Sequence, residues 1–249
     1  GGFDSEINAF CLAKNDYHNA ECAVRKRYLG GLEQAFRPSG EYPAGIFDDV
    51  MKGKNGAIPE KIADVMRSAA ELFEKGEADG SAVSVMFLKS YYEFVSGKIR
   101  MKRLKDIVCF EIDSKNCSAV LRCSNFEDAE KMLLPGGKLS FSDLAVLARR
   151  DRRAAELKFA YTERYDYIRV AVDETLKGEP MRAFEKAADD YALSRFDDVR
   201  YEFQGKIPVI LYYLYKTAEL KNVRTIMSLK LINCPSEEIK NRLRKGYVG

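Results

Sequence analysis

Asp16-Tyr17-His18-Asn19 returns as Asp113-Ser114-Lys115-Asn116 and, with the acid changed, as Glu219-Leu220-Lys221-Asn222. An acid three residues ahead of an Asn is common by itself; the flanks give the recurrence weight. One, four and five residues past the Asn stand Ala20, Ala23 and Val24, then Cys117, Val120 and Leu121, then Val223, Ile226 and Met227. Nine, six and five residues before the acid stand Ile7, Phe10 and Cys11, then Leu104, Ile107 and Val108, then Ile210, Tyr213 and Leu214. Apolar columns in register on both sides mark an internal repeat.

A second landmark keeps the same register. Pro38-Ser39-Gly40 and Pro135-Gly136-Gly137 begin nineteen residues after Asn19 and Asn116, and Tyr42, Phe47 and Val50 then match Leu139, Leu144 and Leu147. The acids are 97 residues apart (16 to 113) and then 106 (113 to 219). Solenoid repeats run about 20–50 residues, so these units are domain-sized. The spacing divides the chain into the remainder of a first unit at 1–36, a second at 37–133 and a third at 134–249. It also predicts that the first unit's opening loop would fall about 60 residues before Gly1, so that native N-terminal helices are missing from this chain.

The units read as helix. Apolar positions before and after each acid have helical spacing, but the two stripes point about half a turn apart at ~100° per residue. A break near the acid accommodates both, with Asp16 or Asp113 as N-cap of the following helix and the Asn reaching back; Glu219 is a poorer cap, so the third segment runs straighter. Further helices are expected over Ile62–Lys75 after Pro59, Ala82–Val95, a long charged stretch Asp143–Leu176, Met181–Leu193, Ile207–Leu231, and Glu237–Lys245 capped by Ser236. Strand-like alternation is scarce. Tyr91, Tyr92, Tyr161, Tyr165, Tyr167, Tyr212, Tyr213 and Tyr215 are expected in and around the core.

Composition limits the function. Among 249 residues, 41 basic and 38 acidic side chains leave a net charge of +3, without the basic excess of a nucleic-acid-binding domain. The longest apolar candidate, Ile207 to Tyr215, is too short to span a membrane. Six cysteines without Cys-x-x-Cys spacing read as free thiols in a reducing compartment. His18 is the only histidine, which leaves no zinc-protease or His-rich metal site. Gly136-Gly137-Lys138-Leu139 lacks the glycine spacing and hydroxyl of a nucleotide loop. Asp48-Asp49, Asp189-Asp190 and Asp197-Asp198 read as solvated helix positions. No catalytic residue, cofactor site or metal site is expected. Basic clusters at Arg25–Arg27, Lys98–Lys105, Arg149–Arg153 and Arg242–Lys245 read first as solvated faces, with an acidic partner or anionic lipid as the alternative.

Lys14-Asn15-Asp16-Tyr17-His18-Asn19, followed by an apolar helix with Arg25, Lys26 and Gly30, resembles the Asp-x-His-Asn segment of the C/d family of V/A-type rotary ATPase subunits, in its bacterial or archaeal form. The closing segment resembles that family too: Glu219, Asn222 and Arg224, then Pro235 to Val248 as a short charged helix and tail. The resemblance implies an all-α chain whose domain-sized helical repeats form a pseudo-threefold funnel. It implies a non-catalytic central-stalk socket, peripheral to the cytoplasmic face of the membrane, that couples the rotor shaft subunits to the ion-translocating rotor ring. Arg100, Lys102 and Arg103 are the basic cluster expected to meet an acidic partner. The rival readings are an unrelated helical-repeat adaptor and an α-helical enzyme using scattered carboxylates.

Overall fold

The computed structural model describes residues 4–30, 35–54, 57–162 and 165–246, the side chain of Tyr165 excepted. Thirteen α-helices and one short 3-10 turn account for the regular structure of these residues, with no strand among them. The helices are α1 (Ser5–Cys11), α2 (Ala13–Leu29), α3 (Gly45–Met51), α4 (Glu60–Lys75), α5 (Gly80–Lys98), α6 (Lys102–Arg122), α7 (Phe126–Met132), α8 (Phe141–Ala148), α9 (Arg152–Phe159), α10 (Tyr165–Leu176), α11 (Arg182–Ser194), α12 (Ile207–Leu231) and α13 (Ser236–Asn241).

Helices pack into two compact units, Gly1–Val108 with Leu134–Gly136, and Cys109–Leu133 with Gly137–Gly249. In the first, α2, α4 and α5 pack on one another and α1 lies against α2 and α5. α4 has a strong apolar stripe, Ile62, Val65, Met66 and Ala69, which it buries; Pro59 starts the helix and Gly76, in the left-handed region at φ 67°, ends it. Val83, Phe87, Tyr92 and Val95 fill the core from α5, and Tyr17 meets Tyr91 edge-on at 5.8 Å. In the second unit Phe110, Val120, Leu121, Leu144, Ile168 and Phe184 form the centre of one apolar core, with Phe110 stacked on Tyr191 at 4.0 Å.

The expected break near the acid is present in the first segment, at Leu12 between α1 and α2, but the cap role given to Asp16 and the break in the second segment are corrected by the structure. Asp16 lies in the first turn of α2, whose N-cap is Leu12, four residues earlier. α6 runs unbroken through Asp113, against that expectation, whereas α12 runs unbroken through Glu219, as expected of the straighter third segment. The carboxylates of Asp16 and Asp113 reach sideways to loop amides rather than back to their own helix. The long helix expected over Asp143–Leu176 is three helices. Arg150 turns left-handed at φ 54°, and the Asp151 carboxylate accepts from the amides of Arg153 and Ala154, starting α9 afresh. α8 opens two residues early on a reciprocal capping box between Ser140 and Asp143. Ser236 begins α13 but makes no side-chain cap, and that helix closes at Asn241 rather than Lys245.

Among the expected packing aromatics, Tyr91, Tyr92, Tyr167 and Tyr215 are buried, whereas Tyr161 and Tyr212 are exposed. Residues 163–164, the Tyr165 side chain and the tail from Tyr247 fall outside the described residues. The cysteines are free thiols, with Cys11, Cys22 and Cys117 buried and the other three half-buried. Burial holds the Cys11 thiol up at about 11, so it stays protonated.

Candidate functional site

Each acid–Asn segment lies on a helix, and its role follows from what its side chains hold. The Asp16 carboxylate, 1% exposed, accepts from the amides of Glu41 and Tyr42, both at 3.1 Å. The Asp113 carboxylate, also buried, accepts from the amides of Lys138 and Leu139 at 3.2 and 3.0 Å. The bonded residues follow each Asp by the same 25 and 26 positions. The loops come so near that they need glycine: a Cβ on Gly40 would collide with the Asp16 carboxylate, and one on Gly137 with that of Asp113. Glycine admits this close approach because it has no Cβ.

The Asn residues hold the chain differently. Asn19 donates to the Arg37 carbonyl at 2.8 Å and accepts from the Arg37 amide at 2.7 Å. Asn222 makes the same exchange with Arg244, at 3.1 and 2.8 Å. Asn116 is buried in the second segment. Glu219 departs from the two aspartates: it is exposed and pairs with Lys216. The amide beside Arg244, that of Lys245, goes to Asp190 on α11 at 2.7 Å, and Asp189 binds both Lys221 and the Arg244 guanidinium. The expectation that Asp189-Asp190 is merely solvated is thereby corrected.

Two more buried carboxylates act alike without any signal in the sequence. Glu6 accepts from the amides of Arg100 and Met101, both at 2.6 Å, just ahead of α6. Glu174 takes the amides of Ala183 and Phe184 at 2.9 and 2.8 Å, in the first turn of α11. An anion beside these amides satisfies donors that a helix start leaves open. Gly40 and Gly137 are findable from sequence, since both stand 24 residues after the Asp; Glu6 and Glu174 bond to residues that no local pattern links to them.

Burial raises the Asp16 carboxyl to about 6 against the pull of its two amide hydrogen bonds, with Glu41 adding repulsion. His18 has Nε2 at 2.9 Å from the Ala35 carbonyl. Among the described residues no group of three or more His, Cys, Asp and Glu side chains is placed to hold a metal ion.

Several basic clusters are tied into the fold. Arg25 pairs with Glu21 and Lys26 with Asp48, Arg150 bonds the Cys123 carbonyl, and Arg242 pairs with Glu238. In the expected partner cluster Arg100 and Lys102 are exposed, and Arg103 is half-buried with an interaction of its own. No helix among the described residues is long and apolar enough to cross a membrane. In the second unit an open groove of about 820 Å³ lies between α11, α12 and α13, with Arg182, Lys186, Arg224 and Arg242 among its lining.

Among known proteins, the family model described as ATP synthase (C/AC39) subunit matches residues 3–242. No curated protein and no solved structure matches the chain.

Proposed function

The chain belongs to the ATP synthase (C/AC39) subunit family, and from that premise we propose that it is the central-stalk socket of a V/A-type rotary ATPase. In this reading the chain does no chemistry. It receives the rotor shaft subunits, rests on the ion-translocating rotor ring at the cytoplasmic face of the membrane, and passes torque between them. The three acid–Asn segments mark three equivalent helical units about a pseudo-threefold axis, with the boundaries 1–36, 37–133 and 134–249.

The observation that carries the proposal, beside the family match, is the use made of buried polar groups. Glu6, Asp16, Asn19, Asp113 and Glu174 are each spent on backbone groups of a loop or helix start. Buried ionisable groups in an active site are set to titrate against a substrate; here they bind the chain to itself. Such ties suit a part that must carry load without yielding.

The test is co-purification of the tagged full chain with the shaft and ring subunits of its own complex. Both should be retained, and reversing Arg100, Lys102 and Arg103 to Glu should weaken shaft binding about tenfold at low salt, less at high salt. Binding and salt dependence unchanged by the reversal would remove that cluster from the interface. Capture of neither subunit would return the chain to the adaptor reading.

A further inference from the structure

Residues 235–246 are fastened to the rest of the second unit mainly by polar ties. Ile239 is the one buried side chain among them. Open space lies beside them: the groove of about 820 Å³ is lined in part by Asn241, Arg242 and Arg244, and a second hollow of about 460 Å³ by Lys245. The fastening is gathered at two residues. Arg244 exchanges its backbone groups with Asn222 and pairs with Asp189. Lys245 gives its amide to Asp190 at 2.7 Å and its Nζ to both oxygens of Asp197, at 2.8 and 2.7 Å. Three carboxylates, two on α11 and one in the 3-10 turn Asp197–Val199, thus grip one short basic stretch.

Releasing that stretch strands little charge. Breaking an ion pair is costly when one partner is left buried and alone. Here Asp189 keeps Lys221, Asp190 keeps Lys186, and the Asp197 side chain is 46% exposed, open to water. Within the segment, Arg242 keeps Glu238 and Lys240 keeps Glu237. Arg244 and Lys245 pass into solvent, where both charges are hydrated. Partly exposed pairs of this kind hold weakly, and salt screens them.

We propose that residues 235–246 form an ionic strap that lifts as a unit from α11 and α12 while the helices beneath it stay folded. Local opening of this sort belongs to segments with few buried apolar contacts. The closed strap spends Arg244, Lys245 and Asp197 on one another and their neighbours; the open strap frees them for another molecule. The strap requires nothing of the socket role.

Hydrogen exchange in the full chain, read residue by residue by NMR, tests this. The amides of Arg244 and Lys245 are bonded to Asn222 and Asp190 and exchange when the strap lifts. The Phe184 amide, held by buried Glu174, reports on the body of the unit. Raising salt from about 0.05 to about 0.5 M shortens the screening length about threefold, and should lower protection at Arg244 and Lys245 about tenfold relative to Phe184. Arg244→Gln with Lys245→Gln, checked for its fold by circular dichroism, should show that lower protection already at low salt and respond no further. Protection at Arg244 and Lys245 that ignores salt would overturn the proposal, as would a Phe184 amide that quickens in step with them. So would a double variant that keeps the parent's protection or its salt response. The parent's own salt series needs no variant, and decides the matter if the double variant does not fold.

Discussion

Asn222 and Arg244 exchange two hydrogen bonds: the amide side chain donates to the Arg244 carbonyl at 3.1 Å and accepts from its amide at 2.8 Å. Asn19 and Arg37 make the same exchange about two hundred residues earlier. A primary amide is suited to this, since it offers a donor and an acceptor side by side. An Asp could meet only the N–H. The Asn of these two acid–Asn segments is therefore a backbone clasp, closing a following segment onto its helix.

The clasp predicts a matched pair of effects. Asn19→Ala removes a fully buried side chain and leaves the Arg37 N–H and C=O, in a part-buried setting, without their partner, at up to about 1–3 kcal/mol for each group left unpaired. Asn222→Ala should cost less, because the Asn222 side chain is only half-buried whereas that of Asn19 is fully buried. Urea unfolding of the two variants gives the order, and hydrogen exchange at Arg37 and Arg244 should quicken before any global change.

The glycines at the clamped loops give a sharper contrast. Gly40→Ala and Gly137→Ala each drive a methyl group into the carboxylate of Asp16 or Asp113, and forced repacking of this kind costs about 1–3 kcal/mol. Gly97, within α5, has open space around its Cβ position. There Ala should stabilise by about 0.5–1 kcal/mol through helix propensity. Thermal melts of the three variants would show two losses and one gain; equal effects at all three would deny the close approach.

Helix positions are more legible in the sequence than helix roles. The limits of α12 read directly from Ile207 to Leu231, because Pro208 opens it and apolar spacing carries it to its end. Asp16 reads as an N-cap, and wrongly, because local pattern offers only nearby amides, while its partners lie 25 and 26 residues on. Asp190 reads as solvent-facing because nothing in Asp-Asp announces a bond to Lys245, 55 residues away. The exposed apolar row of α12, Tyr212, Leu220, Val223, Met227 and Leu231, is legible as helical spacing but not as a surface, since apolar periodicity does not say which face a neighbour will cover.

Protonation of Asp16 should be visible in stability. Its folded value of about 6 lies above the ordinary 3.8 because burial penalises the anion. The native state thus holds this proton more tightly than the unfolded chain does, so the contribution is fully present below about 3.8 and is lost as pH rises through about 6. Asp16→Asn lacks this dependence. The stability of the parent minus that of the variant should fall between pH 4 and 6 and level off above, with a carboxyl carbon NMR titration for Asp16 centred near 6. A midpoint at or below 3.8 would mean that the two amide bonds outweigh burial.

Glu6 and Glu174 test how a carboxylate serves two amides. Glu6 uses one oxygen, Oε1, for both Arg100 and Met101. Glu174 divides the work, Oε1 taking Ala183 and Oε2 taking Phe184. Gln retains one acceptor oxygen and turns an NH2 group toward whatever the other oxygen faced. Glu6→Gln can therefore keep both amide bonds, whereas Glu174→Gln must set N–H against N–H in the first turn of α11. The second substitution should destabilise by about 1–3 kcal/mol and exceed the first, measured by urea unfolding at pH 7. Each Glu→Ala variant should cost more than its Gln counterpart. If Glu6→Gln proves as costly as Glu6→Ala, the negative charge ahead of α6, rather than the shared acceptor, is what holds that helix start.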